Sequence, residues 1–181
     1  MKMKLFTLLS GKTIRSAQIL FVSLIIVISS CKKRDNVAFP LIEVPSGFKV
    51  EKVAEGLNFP TAVVWDDQNT MYIVEAGGGF LQEPPPARIL KIANGQKTEI
   101  VNLTAKGVVA PVVGFTYHNN AFYITHRASN MTGAVSRISK DGASLNQILS
   151  GFVDGGSEHP LNDIRMGPDG RMYLATGPAG N

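Results

Sequence analysis

Apolar and polar positions alternate along most of this chain in short bursts separated by turn residues, a period of two that predicts strands. Three of the bursts repeat. Pro60-TAVVWDDQNTMYIVEA, Pro111-VVGFTYHNNAFYITHR and Leu161-NDIRMGPDGRMYLATG align without gaps, and their tyrosines Tyr72, Tyr123 and Tyr173 stand 51 and 50 residues apart. Each begins with an apolar run, passes through a turn and continues in a second apolar run. The turns are Asp67-Gln68-Asn69, His118-Asn119-Asn120 and Pro168-Asp169-Gly170. Proline presets φ, and asparagine or glycine accepts the left-handed backbone that a tight hairpin needs. Each unit is therefore predicted to open with a β-hairpin.

The first two units carry more. Arg88-Ile89-Leu90-Lys91-Ile92 alternates like a half-buried strand, and Val135-Ser136-Arg137-Ile138 takes the matching place. Glu99-Ile100-Val101 and Gln147-Ile148-Leu149 supply fourth strands. No helical periodicity follows the first thirty or so residues, which argues against an α/β fold. Four antiparallel strands in a repeat of about 50 residues describe a propeller blade. The fold class read from the sequence is thus all-β, a partial β-propeller of about two and a half four-stranded blades. A further strand is predicted over Phe48–Val53, placed to complete the last blade of a closed ring. Propellers close with about 4–8 blades, so the chain reads as the opening part of a longer protein; several copies forming one ring is the alternative.

The amino terminus breaks the pattern. Lys2, Lys4, Lys12 and Arg15 precede an apolar run from Ile19 to Ile28, interrupted only by Ser23, and Ser29, Ser30 and the single cysteine, Cys31, follow. The run is too short to span a bilayer as a helix, which takes about 20 residues, and matches the apolar core of a secretory signal. Ile28-Ser29-Ser30-Cys31 resembles a bacterial lipobox, which implies lipidation at Cys31 and an exported, membrane-anchored lipoprotein facing the periplasm or the cell surface. An ordinary signal peptide with an incidental cysteine is the plainer reading. The organisation expected is a signal over 1–30, a tether over 31–44 containing Lys32-Lys33-Arg34, and a propeller over 45–181. Without the four basic residues of the signal, basic and acidic side chains balance. A balanced mature domain carries no electrostatic footprint for nucleic acid.

Blade topology places two kinds of loop on one face, those linking blades and those joining second strands to third. Glu75, His126, Arg127, Glu158, His159 and Asn162 fall there or beside it, making the propeller mouth the default candidate site. Gly155-GSEHPLNDIRMGPDGRMYLATGPAGN then resembles the corresponding stretch of the glucose/sorbosone dehydrogenases, most strongly the sorbosone branch. Pro45-SGFKVEKVAEGLNFPTAVVW and Met71-YIVEAGGG resemble the opening of the same family. That resemblance implies a six-bladed propeller using pyrroloquinoline quinone (PQQ) and calcium to oxidise a sugar or a related alcohol or aldehyde. It assigns the general base to His159, eight residues before Gly167, with Glu158 as the adjoining carboxylate. Arg127 and Asn162 are candidates for cofactor binding, and the calcium ligands are expected on later blades.

Departures and plainer readings stand beside this. Glucose-oxidising relatives carry a glutamine where this chain has Val109, which puts glucose specificity in doubt. Arg127 also reads as a solvated arginine at a strand exit, His118 as a turn residue, and Glu158-His159-Pro160 as a loop that shapes the entry to a strand. Two other functions remain open: a non-catalytic surface propeller binding glycans or proteins, and a calcium-dependent hydrolase for which Glu75 and Asp163 are the candidate carboxylates. Gly77-Gly78-Gly79 leads to Pro84-Pro85-Pro86 rather than a helix and is no dinucleotide fingerprint. The three histidines have no zinc-ligand spacing.

Overall fold

Alternation needs a partner strand to become a sheet, and the computed structural model, which describes residues 42–78, 83–153 and 161–177, supplies partners for nearly all of it. The chain divides into two units, Met1–Val50 and Glu51–Asn181. Residues 42–50 of the first are described and carry one turn, closed by the Phe48 N–H donating to the Pro45 carbonyl at 3.1 Å. In the second unit β1 (Pro60–Trp65), β2 (Met71–Glu75), β3 (Arg88–Ala93) and β4 (Gln96–Asn102) form one antiparallel sheet in sequence order. A second sheet repeats that order with β5 (Phe115–His118), β6 (Ala121–Arg127), β7 (Gly133–Ser139) and β8 (Leu145–Phe152). The hairpin of β9 (Leu161–Met166) and β10 (Met172–Thr176) follows. Among the described residues the one helical element is a 3-10 turn over Thr104–Lys106. The first strands adjoin in succession, β1 beside β5 and β5 beside β9, while β4 and β8 lie outermost and mostly exposed. The architecture is a partial β-propeller: two full blades and the first hairpin of a third.

The repeated tyrosines mark the packing. Tyr72 and its ladder partner Val64 point at the second blade, where Phe115, Phe122, Ile124 and Ile138 receive them in one buried cluster. The Tyr72 and Phe122 rings meet edge to face with centroids 4.8 Å apart, and Phe115 lies 5.3 Å from Phe122. Tyr123 points the same way and packs on Val135, Leu161 and Ile164 between the second and third blades. Each large side chain buried there is worth about 1.5–3 kcal/mol, so these two seams hold the blades together.

Two sequence expectations need correction. In the first and third blades the hairpin turn occupies 66–70 and 167–171, between the pairs Trp65↔Met71 and Met166↔Met172, with Asn69 and Gly170 at φ 58° and 75°. The second blade turns within 118–121, between Tyr117 and Phe122, using Asn119 and Asn120 at φ 46° and 56°. Its turn is one residue shorter, so the gapless alignment holds for the second strands and slips by one in the first strand. Phe115 rather than Gly114 faces back into the core. Phe48–Val53 alternates but forms no strand: no described strand edge pairs with it, and its residues stay exposed, Phe48 at 72%.

On the turn side, an ionic junction ties the first blade to the second. The Asp66 carboxylate is fully buried; it accepts hydrogen bonds from the N–H groups of Gln68 and Thr70 at 2.9 and 2.8 Å and pairs with the Lys140 ammonium at 2.8 Å. Burial alone would raise its pKa, but Lys140 and the two N–H donors outweigh that and hold it well below the usual carboxylate range. Lys140 in turn sits 5.7 Å from the centre of the Tyr117 ring.

Candidate functional site

The opposite rim is defined by ladder rows at the far ends of the strands. In the first blade Pro60, Glu75, Arg88 and Asn102 pair across in succession. In the second blade the row runs from Val109 through Arg127 and Gly133 to Phe152, and in the third Leu161 pairs with Thr176. The segments that enter each blade end on this rim. Of the residues the sequence singled out, Glu75, His126, Arg127 and Asn162 are all brought to it. His159, Glu158 and Cys31 lie outside the described residues.

Glu75, His126 and Thr176 are repeat counterparts, each a polar residue near the end of a second strand that is otherwise largely apolar. Glu75 is fully buried. Its Oε1 accepts the Asn58 N–H at 2.8 Å, and its Oε2 accepts from Arg88 Nε at 2.5 Å, while Arg88 Nη1 also reaches Glu99 at 3.5 Å. The Glu75 hydrogen bond raises the Arg88 pKa further, against the opposing effect of burial. Asp163, the other carboxylate considered for a metal, accepts from Arg165 Nε at 3.0 Å. Each carboxylate is thus engaged by an arginine on its own sheet. Among the described residues no group of three or more His, Cys, Asp or Glu side chains is placed to hold a metal ion.

His126 is buried and structural. Because a carbonyl only accepts, Nδ1–H donates to the Arg127 carbonyl, which leaves Nε2 to accept from the Ser136 hydroxyl at 2.7 Å. The ring is held neutral: burial lowers its pKa, only partly opposed by the Arg127 carbonyl. A histidine whose folded pKa is depressed lends stability above its unfolded value of about 6.5 and withdraws it as pH falls through the folded value. The melting temperature is therefore expected to decline as pH drops from about 7.5 to about 5.5, with a flatter profile for His126→Gln. Parallel profiles for the two proteins would show that His126 does not carry this dependence.

Arg127 corrects the plainer sequence reading. It is not solvated but 7% exposed, its N–H donating to the Val109 carbonyl at 3.3 Å. Asn162 opens β9 beside β6, and its carbonyl accepts the Thr125 hydroxyl at 2.8 Å. Thr125 therefore links the strands that carry the two cofactor-binding candidates. Sequence reading missed it, and also missed Arg88 as the partner of Glu75. The signal available for Arg88 was an arginine at the start of a third strand, across the hairpin from a glutamate at the end of the second. His118 is in the turn, as expected, paired with Ala121.

No family model matches the chain, and no curated protein does. A crystal structure of "the putative oxidoreductase (glucose dehydrogenase)" from Thermus thermophilus superposes with a TM-score of 0.59 at 23% sequence identity, covering 72% of this chain and 41% of that one. This chain spans about two-fifths of the length of that protein. At that identity the likeness is one of fold.

Proposed function

We propose that this chain is part of a PQQ-dependent oxidoreductase that oxidises a sugar or a related alcohol or aldehyde. The observation that carries the reading is the register shared by the first and third hairpins. Pro60 and Leu161 open them with equivalent pairs, Pro60↔Glu75 and Leu161↔Thr176, each next to a register shift. Asn58 stands two residues before Pro60 as His159 stands two before Leu161. Asn58, the first blade's counterpart of His159, donates its N–H to Glu75 on the rim, and Arg127 and Asn162 stand at or next to the same rim in the second and third blades. The fold likeness to a protein named as a glucose dehydrogenase supports an oxidoreductase. Val109, in place of a glutamine, favours a substrate other than glucose, in line with the sorbosone branch.

The donors present suit PQQ. It carries carboxylate and quinone oxygens, and the guanidinium of Arg127 and the side-chain amide of Asn162 are both groups that donate N–H bonds to such oxygens. Arg127 and Asn162 would hold it, with calcium bound by residues of further blades. When bound, PQQ supplies the acceptor for the hydride that leaves the substrate carbon. His159 takes the hydroxyl proton at its unprotonated ring nitrogen, so that the alcohol becomes a carbonyl as the C–H and O–H bonds break. Glu158 steadies the imidazolium that results, a role suited to a neighbouring carboxylate. The test is dye-linked oxidation by the full-length protein reconstituted with PQQ and calcium, assayed over sugars, alcohols and aldehydes. Turnover that depends on PQQ supports the proposal, and an inert holoprotein across the panel overturns it.

The same proposal places the protein outside the cytoplasm, anchored through Cys31. Cys31→Ser is expected to abolish incorporation of labelled fatty acid and to move the protein from the detergent phase to the aqueous phase on partitioning. Unchanged labelling would rule out lipidation at this cysteine.

A further inference from the structure

We infer that Thr125 is a positioning residue that fixes Arg127 and Asn162 relative to one another, and through them the cofactor; this rests on the PQQ reading above. Thr125 is fully buried on β6. Its hydroxyl accepts the Gly114 N–H at 2.7 Å and donates to the Asn162 carbonyl at 2.8 Å, so one oxygen joins the entry to β5, the middle of β6 and the start of β9. Backbone bonds lock the same point. The Thr125 carbonyl accepts from Val113 at 3.1 Å, and the Thr125 N–H donates to the Gly114 carbonyl at 3.0 Å. Gly114 is required by the closeness of these strands, because a Cβ there would lie 2.6 Å from the Asn162 oxygen and 2.9 Å from the Ile164 nitrogen.

The repeat shows that packing alone does not ask for a hydroxyl here. The counterpart of Thr125 in the first blade is Val74, equally buried, and in the third Ala175. A valine fills the position in the first blade, where the neighbouring strand is anchored from another place, the Thr61 hydroxyl donating to the Val112 carbonyl at 3.0 Å. In the second blade the hydroxyl instead holds the backbone of a cofactor-binding candidate, Asn162. Arg127 lies two residues further along β6, on the same face, since strand side chains alternate with a period of two. A shift of β9 against β6 would therefore change the separation of both groups at once.

The experiment measures PQQ binding to the full-length apoprotein, by quenching of intrinsic fluorescence, alongside the melting temperature, for the wild type, Thr125→Val and Thr125→Ser. Removing the hydroxyl takes this partner from the buried Gly114 N–H and from the part-buried Asn162 carbonyl, and the PQQ dissociation constant is expected to rise about tenfold or more in Thr125→Val, measured well below its melting temperature. Thr125→Ser, which keeps the oxygen, is expected to bind as the wild type does even though it loses a methyl group and some stability. Equal affinity of folded Thr125→Val and the wild type overturns the inference, as does weak binding by folded Thr125→Ser. If Thr125→Val does not fold, Thr125→Ala against Thr125→Ser, which differ by the one oxygen, decides in the same way. Wild-type protein that binds no PQQ overturns the functional reading instead, which keeps the two failures distinct.

Discussion

His159→Ala is expected to lower kcat of the PQQ- and calcium-loaded full-length protein by about 100- to 10,000-fold, the range contributed by a positioned general base. Hydride departure from the substrate carbon becomes favourable only as the hydroxyl proton leaves, and at neutral pH a free imidazole is the side chain best matched to receive it. The PQQ dissociation constant should change little, because the cofactor contacts proposed belong to Arg127 and Asn162. The dependence on pH gives a second signature. Wild-type kcat/KM should fall on the acid side as the imidazole takes up a proton and ceases to be a base, and this limb should vanish in His159→Ala. Rescue of part of the lost rate by added imidazole would strengthen the assignment. A variant that retains wild-type turnover, or one that loses PQQ binding and turnover together, removes His159 from the role of base. The bland reading of Glu158-His159-Pro160 as a loop-shaping tripeptide predicts the first of those two results.

The blade architecture was legible because a propeller writes its fold locally. Each strand alternates, each hairpin pairs neighbours in sequence, and Tyr72 and Tyr123 recur on the face that meets the next blade, with Tyr173 at the matching place in the third hairpin. The sheet orders follow the chain without a crossover, so no long-range pairing had to be guessed. What escaped was whatever depends on a second segment. Phe48–Val53 has the alternation of a strand, but a strand exists only through its ladder, and no described edge receives it. The short turn of the second blade is invisible to a gapless alignment because His118-Asn119-Asn120 is good turn chemistry at either length. Arg127 looks solvated when read on β6 alone, yet it is buried at the strand end that the segment carrying Val109 also bridges. The candidate site was legible in outline for the same reason. Topology alone assigns Glu75, His126, Arg127 and Asn162 to one rim, but which of them are already committed to structural bonds emerges only from the contacts. Glu75 and His126 have their side-chain polar atoms satisfied by neighbours in the fold, and Arg127 is engaged as well.

The largest loss of stability from a single substitution is expected at the rim pair Arg88–Glu75. Glu75 has no solvent exposure, and its two oxygens have one partner each in the contacts described, Arg88 and the Asn58 N–H. Arg88→Ala takes away the cation that faces a buried carboxylate, and breaking such a pair from one side costs about 3–5 kcal/mol. Arg88 is itself a quarter exposed, so water entering the vacated space should keep the loss near the lower bound, a fall in melting temperature of about 10 °C for a unit of this size. Glu75→Gln should cost less, since the amide oxygen still accepts from Asn58 and the guanidinium keeps Glu99 and solvent. The double variant Arg88→Ala, Glu75→Gln should then be more stable than Arg88→Ala alone, because the orphaned charge is gone. Thermal melts of the four proteins form a complete cycle. A double variant no better than Arg88→Ala would mean that the arginine acts through the packing of its aliphatic stem against the strand rather than through its charge.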